Sequence, residues 1–170
     1  MKNIKTPVSI NDVSKLKILD KILITGYIYA GRDVVLPKLV TLIKKNKLSS
    51  LGINLDGSAI FHTAVSPAGV GPTSSNKPEI ENSIPALSQA GVKLHLGKGA
   101  LSESTVEALN ANNSIFAIVP PLSALLSEKI IKKKVVAFAE EGVEALHLLK
   151  VNSFPAIIAV AHGKSIFKLE

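Results

Sequence analysis

Short apolar runs rich in β-branched residues alternate with segments of helical periodicity through the middle of this 170-residue chain. Residues 21–30 (KILITGYIYA) predict a strand, and residues 34–46, whose apolar side chains recur every three or four positions, predict a helix. When strands and helices alternate in this way, the helices connect strands that lie side by side in one sheet. The sequence therefore predicts an α/β fold, with either one mixed sheet or two sheets that carry helices on one side.

The rest of the chain gives further elements from the same signals. Predicted strands are residues 58–65, 92–96, 114–119, 135–138, 145–149 and 156–160. Predicted helices are residues 78–89 and 102–109, and one that begins at Pro121 and ends in the lysine run 132–134. Residues 66–76 predict a loop. No internal repeat or linker divides the chain, so we expect residues 1–170 to form a single domain, with residues 1–18 as an N-terminal segment of weaker signals.

Composition excludes several classes of protein. Hydrophobic residues make up 46% of the chain and aromatic residues only 4%, which predicts a sizeable core of aliphatic side chains. Two stretches without charged residues, 57–76 and 108–127, contain prolines and polar clusters and cannot span a bilayer as regular helices. The first residues do not form a signal peptide. We therefore expect a cytoplasmic protein with no membrane partner.

Cysteine is absent, and the net charge is +7. The chain by itself therefore holds no disulfide and no cysteine-ligated zinc or iron–sulfur centre. The basic clusters at residues 44–47 and 132–134 lie where helices are predicted to end, where cations are favourable. Since no aromatic residues interleave with these lysines, nucleic-acid binding is the least favoured reading of the charge, and we expect no nucleic-acid partner.

Arg32 is the only arginine among twenty Lys and Arg residues. A guanidinium binds a carboxylate through two parallel hydrogen bonds, which an ammonium group cannot do. Arg32 also follows a predicted strand and precedes a helix, the kind of turn where α/β folds bind ligands. The alternative is a structural role, either a surface pair with Asp33 or a contact at the start of the helix.

Two further segments have the character of anion-binding sites. Residues 68–77 (AGVGPTSSNK) combine glycines with three hydroxyl groups directly before a predicted helix, although an ordinary loop with a Ser or Thr N-cap fits equally. Lys98 lies between two glycines directly after a strand, in a sequence that also occurs in plain turns. Each of the four histidines is expected to be structural, and the acidic run 140–144 is expected to be a solvated turn.

Five motifs in order resemble the β subunit, or C-terminal domain, of the class I iron–sulfur hydro-lyases, fumarase and L(+)-tartrate dehydratase. The resemblance covers the chain from about residue 19 to its end. The motifs are residues 26–33 (GYIYAGRD), 71–77 (GPTSSNK), 97–99 (GKG), 116–119 (FAIV) and 153–156 (SFPA).

The resemblance implies a swivelling β/β/α three-layer domain. It implies reversible hydration of a small dicarboxylate, either fumarate to malate or tartrate to oxaloacetate. The 4Fe-4S cluster would be held by the cysteines of a partner α subunit, with the active site shared between the subunits in a heterotetramer of two α and two β chains.

The resemblance also implies the roles of five residues. Arg32 would hold a substrate carboxylate, Lys98 would bind or polarise the substrate, and Thr73 would move the proton at the reacting carbon. Ser74 would help to hold a carboxylate, and Lys77 stands where the family has an arginine. That substitution, with a shorter segment before Gly71, leaves a second hypothesis open: an anion-binding swivelling domain that has lost turnover.

Overall fold

The computed structural model describes residues 1–73 and 77–168, and of residues 71–73 and 77–80 only the backbone. The strands in these residues are β1 (Lys2–Lys5), β2 (Lys21–Ala30), β3 (Ala59–Phe61), β4 (Thr63–Ser66), β5 (Gly69–Thr73), β6 (Leu94–Gly97), β7 (Ile115–Ile118), β8 (Ile130–Ala137), β9 (Leu146–Ala161) and β10 (Lys164–Ser165). The helices are α1 (Ile10–Ser14), α2 (Leu36–Lys44), α3 (Lys77–Gln89), α4 (Glu103–Ala111) and α5 (Ser123–Glu128).

Five strands close into a barrel. Strands β2, β3, β6 and β7 pair in parallel in that order. The long strand β9 is antiparallel to β7 on one side and to β2 on the other, which completes the ring. Strand β1 extends β2, while β8 and β10 pair with β9. The predicted α/β class and mixed sheet are confirmed, and the sheet is closed, which sequence patterns did not indicate.

The barrel interior is filled by alternating side chains of its strands, mostly aliphatic as predicted. Phe61 and Phe154 meet edge to face inside it, with ring centroids 5.5 Å apart. The opposite faces of the same strands pack against helices. Ile60 and Leu146 join Leu39 of α2 and Leu87 of α3 in a second buried cluster. Helices α2 and α3 are therefore fixed against the outside of the barrel.

Several predicted boundaries are wrong in an instructive way. The single strand predicted at residues 58–65 is two strands, β3 and β4, separated at His62. The predicted loop at 66–76 is a hairpin up to Thr73, because β5 pairs antiparallel with β4. Residues 74–76 lie outside the described residues.

The C-terminal third differs most from the prediction. The lysine run 132–134 lies within β8 rather than at a helix end. β8 is an edge strand, and all three lysines are exposed. The two predicted strands at 145–149 and 156–160 are one strand, β9, which spans residues 146–161. In the described part of the chain, no helix has both the length and the apolar character needed to cross a membrane.

Candidate functional site

The carboxyl ends of the parallel strands meet at one end of the barrel, here called the carboxyl edge. Two backbone hydrogen bonds fix the residues that follow the strands: Gly31 donates to Phe61 at 3.0 Å, and His62 donates to Leu96 at 2.9 Å. Side chains that come directly after β2, β3 and β6 are therefore neighbours in space, although they are about thirty residues apart in sequence. Such an edge is where α/β folds bind ligands.

Three of the sequence-predicted residues lie at this edge by the position of their backbones. Arg32 follows β2, and Lys98 follows β6 with an exposed side chain. The backbone of Thr73 pairs with that of Thr63, which lies two residues beyond the end of β3. Lys77 is the first residue of α3, so its backbone follows the same segment. Ser74 lies outside the described residues.

Arg32 is engaged by an acidic residue of this chain. Its Nε atom lies 2.8 Å from Oε1 and 3.0 Å from Oε2 of Glu144, and its Nη2 atom also donates to Oε1. The Asp33 carboxylate is 3.7 Å from Nε, beyond hydrogen-bond distance. The hydrogen bonds that Arg32 donates to the Glu144 carboxylate raise the pKa of Arg32, so the guanidinium keeps its charge.

The acidic run 140–144 is therefore not simply solvated, contrary to the sequence prediction. Glu141 forms an ion pair with Lys38 of α2. The ammonium group of Lys38 also lies 5.6 Å from the centroid of the Phe138 ring. Glu144 is only 19% exposed. This 3-10 segment, Ala139–Glu144, is thus held against the turn that carries Arg32.

Two glycines at the carboxyl edge have different structural roles, one in helix packing and one in a turn of the chain. A Cβ atom on Gly31 would lie 2.8 Å from Cγ2 of Val35 and 3.2 Å from Cδ1 of Leu146. Gly31 therefore lets the start of α2 approach β9, rather than leaving room for a ligand. Gly99, with a φ of 81°, adopts the left-handed conformation that turns the chain after Lys98.

A buried row of polar side chains links β3, β6 and α3. Nε2 of His62 lies 3.2 Å from Nδ1 of His95, and Nε2 of His95 lies 2.9 Å from Oγ of Ser88. Among the described residues, Nδ1 of His62 has no hydrogen-bond partner. Burial lowers the pKa of His62 to about 4 and that of His95 well below 6.5, with a smaller contribution from His62 to the latter. Both rings are neutral at pH 7, as expected of structural histidines.

This histidine pair predicts a loss of stability in acid. The unfolded chain binds protons on His62 near pH 6.5, whereas the folded chain does so only near pH 4. The free energy of unfolding should therefore fall as the pH drops from 6.5 to 4, by about 3 kcal/mol from His62 alone. Urea denaturation at a series of pH values measures this. His62→Gln should flatten the dependence, and equal slopes in the variant and the wild type would contradict the assignment.

The sequence matches the family described as Fumarase C-terminus over residues 2–169. The chain belongs to the fumarase C-terminus family. The L(+)-tartrate dehydratase subunit beta of Escherichia coli (strain K12) is 28% identical over 179 residues, which cover 97% of this chain and 86% of that protein. The protein of the same name from Shigella flexneri matches at the same 28%. The anaerobic class I fumarate hydratase of Escherichia coli (strain K12) is 28% identical over 158 residues, covering 87% of this chain and 28% of the larger enzyme.

Whether this chain could hold a metal cluster by itself depends on the ligands that its side chains offer. Iron–sulfur clusters are held by cysteine thiolates, and this chain has none. Within residues 1–70 and 81–168, whose side chains the structure describes, no three His, Asp or Glu side chains are grouped as metal ligands. The residues of this fumarase C-terminus chain therefore do not fit a cluster of their own.

Sequence reasoning missed two features of the edge. Glu144 is 112 residues from Arg32 in sequence, so no local pattern could reveal the pair. The link between His62 and His95 was hidden for the same reason, although both lie within predicted strands. Only the pairing of β3 with β6 brings these rings together.

Proposed function

We propose that this chain is the β subunit of a two-subunit, iron–sulfur-dependent hydro-lyase that hydrates and dehydrates a small dicarboxylate. The observation that carries the proposal is the position of Arg32, Lys98 and the Thr73 backbone at the carboxyl edge, in a chain of the fumarase C-terminus family. Tartrate dehydratase and class I fumarase relatives indicate tartrate or fumarate and malate as substrates.

The two cations at the edge are proposed to bind the two ends of the substrate. Arg32 has five N–H donors, of which Nε–H and one on Nη2 face Glu144, so the remaining donors are available to a carboxylate. Lys98 has an exposed side chain and, among described residues, no ion pair, so its ammonium group is free for an anion. A dicarboxylate suits a site with two separated positive charges.

Thr73 is proposed to carry the proton at the carbon that loses or gains it. A threonine hydroxyl is a weak base, so it needs a nearby cation or the bound substrate to act near neutral pH. Ser74 is proposed to donate a hydrogen bond to a carboxylate. Lys77, at the first turn of α3, is proposed to add positive charge where the family has an arginine.

The cluster is proposed to lie on a cysteine-bearing α subunit, because this chain offers no thiolate. When bound there, it would supply a Lewis acid for the substrate hydroxyl group. The active site would then form between the subunits, in a cytoplasmic heterotetramer of two α and two β chains. This single domain would move as the swivelling β/β/α unit implied by the resemblance.

One observation favours the second candidate, an anion-binding domain without turnover. The guanidinium of Arg32 is already paired with Glu144 within the chain. Lys77 in place of the family arginine also favours a domain without turnover, because a lysine ammonium group cannot make a bidentate carboxylate contact. Under this hypothesis the chain binds a dicarboxylate but converts none.

The test is a substrate panel on the complex co-expressed with the α subunit and kept anaerobic. We expect turnover of L-tartrate, or of fumarate and malate, and none of a monocarboxylate of similar size. Dicarboxylate binding without conversion of any panel member, by a complex whose cluster is intact, would favour the binding domain instead.

A further inference from the structure

The Arg32–Glu144 contact is made from the side of the guanidinium. Nε–H and Nη2–H, which form one edge of the planar guanidinium group, both donate to Glu144. At the free end of the group, one N–H of Nη1 and the second N–H of Nη2 point in the same direction. These two donors offer a second way for a guanidinium to bind a carboxylate with two hydrogen bonds. No described residue accepts a hydrogen bond from Nη1.

The position of Glu144 is fixed by its surroundings. It directly precedes the buried Ala145 and the start of β9, and its side chain is 19% exposed. A carboxylate held in this way limits the rotation of a side chain that has four rotatable bonds.

We propose that Glu144 is a positioning residue, which holds the Arg32 guanidinium from the side so that its free end binds the substrate carboxylate. The inference rests on the proposed role of Arg32 in dicarboxylate binding. It also accounts for the pairing within the chain, because the side contact and the end contact use different N–H groups.

The electrostatics give the proposal a second consequence. Glu144 offsets part of the charge of Arg32, so a substrate carboxylate at the free end gains orientation as well as attraction. Attraction also depends on the other cation of the edge, Lys98. Loss of Glu144 should therefore harm the alignment needed for reaction more than it harms substrate binding, so kcat falls more than KM rises.

The test compares Glu144→Gln with Glu141→Gln. Both remove one negative charge from the same 3-10 segment at nearly constant size, but only Glu144 touches Arg32. In the assembled enzyme, we expect Glu144→Gln to lower kcat/KM about 100-fold, mainly in kcat. We expect Glu141→Gln to stay within about twofold of wild type, as an outer ion pair should. Glu144→Asp, which keeps the charge but withdraws the carboxylate, should behave like Glu144→Gln.

A second measurement is independent of activity. Because Arg32 is the only arginine, the 15N-labelled chain gives one arginine Nε–H signal in its NMR spectrum. We expect this signal to be shifted and protected from exchange in the wild type and in Glu141→Gln, and to lose both properties in Glu144→Gln.

Two results would overturn the proposal: an Nε–H signal that Glu144→Gln leaves unchanged, or wild-type kinetics in that variant despite a changed signal. If the wild-type complex converts no dicarboxylate while the signal keeps its protection, the proposed function fails. The Arg32–Glu144 pair is then structural only, and its positioning role fails with it.

Discussion

Thr73→Val, assembled with its partner subunit, is expected to lose at least about 1,000-fold in kcat, the effect of removing a group that transfers a proton in the transition state. KM should change little, since valine has the shape of threonine and the proposed carboxylate contacts come from Arg32 and Lys98. Valine also favours a strand, so the pairing of residue 73 with Thr63 is retained. Steady-state kinetics on the purified complex measures both constants.

The matched control is Thr41→Val, which removes a hydroxyl from an exposed position on α2, where its one hydrogen-bond partner among the described residues is the Pro37 carbonyl at 3.1 Å. This variant should keep wild-type kcat and KM. A Thr73→Val enzyme with near-normal kcat would remove Thr73 from the proton-transfer step and leave the base unassigned.

Arg32→Lys is the second large effect we expect. The lysine keeps a positive charge beside Glu144, so the fold should be preserved, but it cannot make two parallel hydrogen bonds to the substrate while it also pairs with Glu144. Loss of a charge-assisted contact of about 2–3 kcal/mol predicts a fall of about 100-fold in kcat/KM. Kinetics of the complex and thermal unfolding of the isolated chain measure the two parts of this prediction.

Lys38→Gln is the control for Arg32→Lys, because it breaks the neighbouring ion pair with Glu141 without touching Arg32. It should leave kcat/KM close to wild type. If Arg32→Lys instead reduces stability and leaves kcat/KM unchanged, Arg32 is a structural partner of Glu144 and nothing more.

Local signals in the sequence were enough to predict the strand and the helix that flank Arg32 in the candidate site. The β-branched run of β2 and the helical periodicity of α2 are both present in the structure, with Arg32 between them. The order of strands and helices also predicted that Arg32 and Lys98 follow strands. These features could be predicted because propensity and periodicity act within a few residues.

The features that could not be predicted all depend on distant pairing. β9 is continuous through Ser153, with a φ of 55°, and Pro155, residues that normally end a strand. It continues because β2 pairs with it from His147 to Ile157, on both sides of an irregularity at residues 152–153. The lysines of β8 form a strand for the same reason, since pairing with β9 decides their conformation.

The central claim is that this chain supplies the substrate-binding part of an active site that is complete only with its partner. The most direct test is an anaerobic titration of this chain into the purified, cluster-loaded α subunit, with the rate of L-tartrate or fumarate conversion as the readout. We expect no turnover by either chain alone and a rate that rises to a plateau at equimolar chains. A rate from the α subunit that this chain does not change, despite formation of a complex, would contradict it.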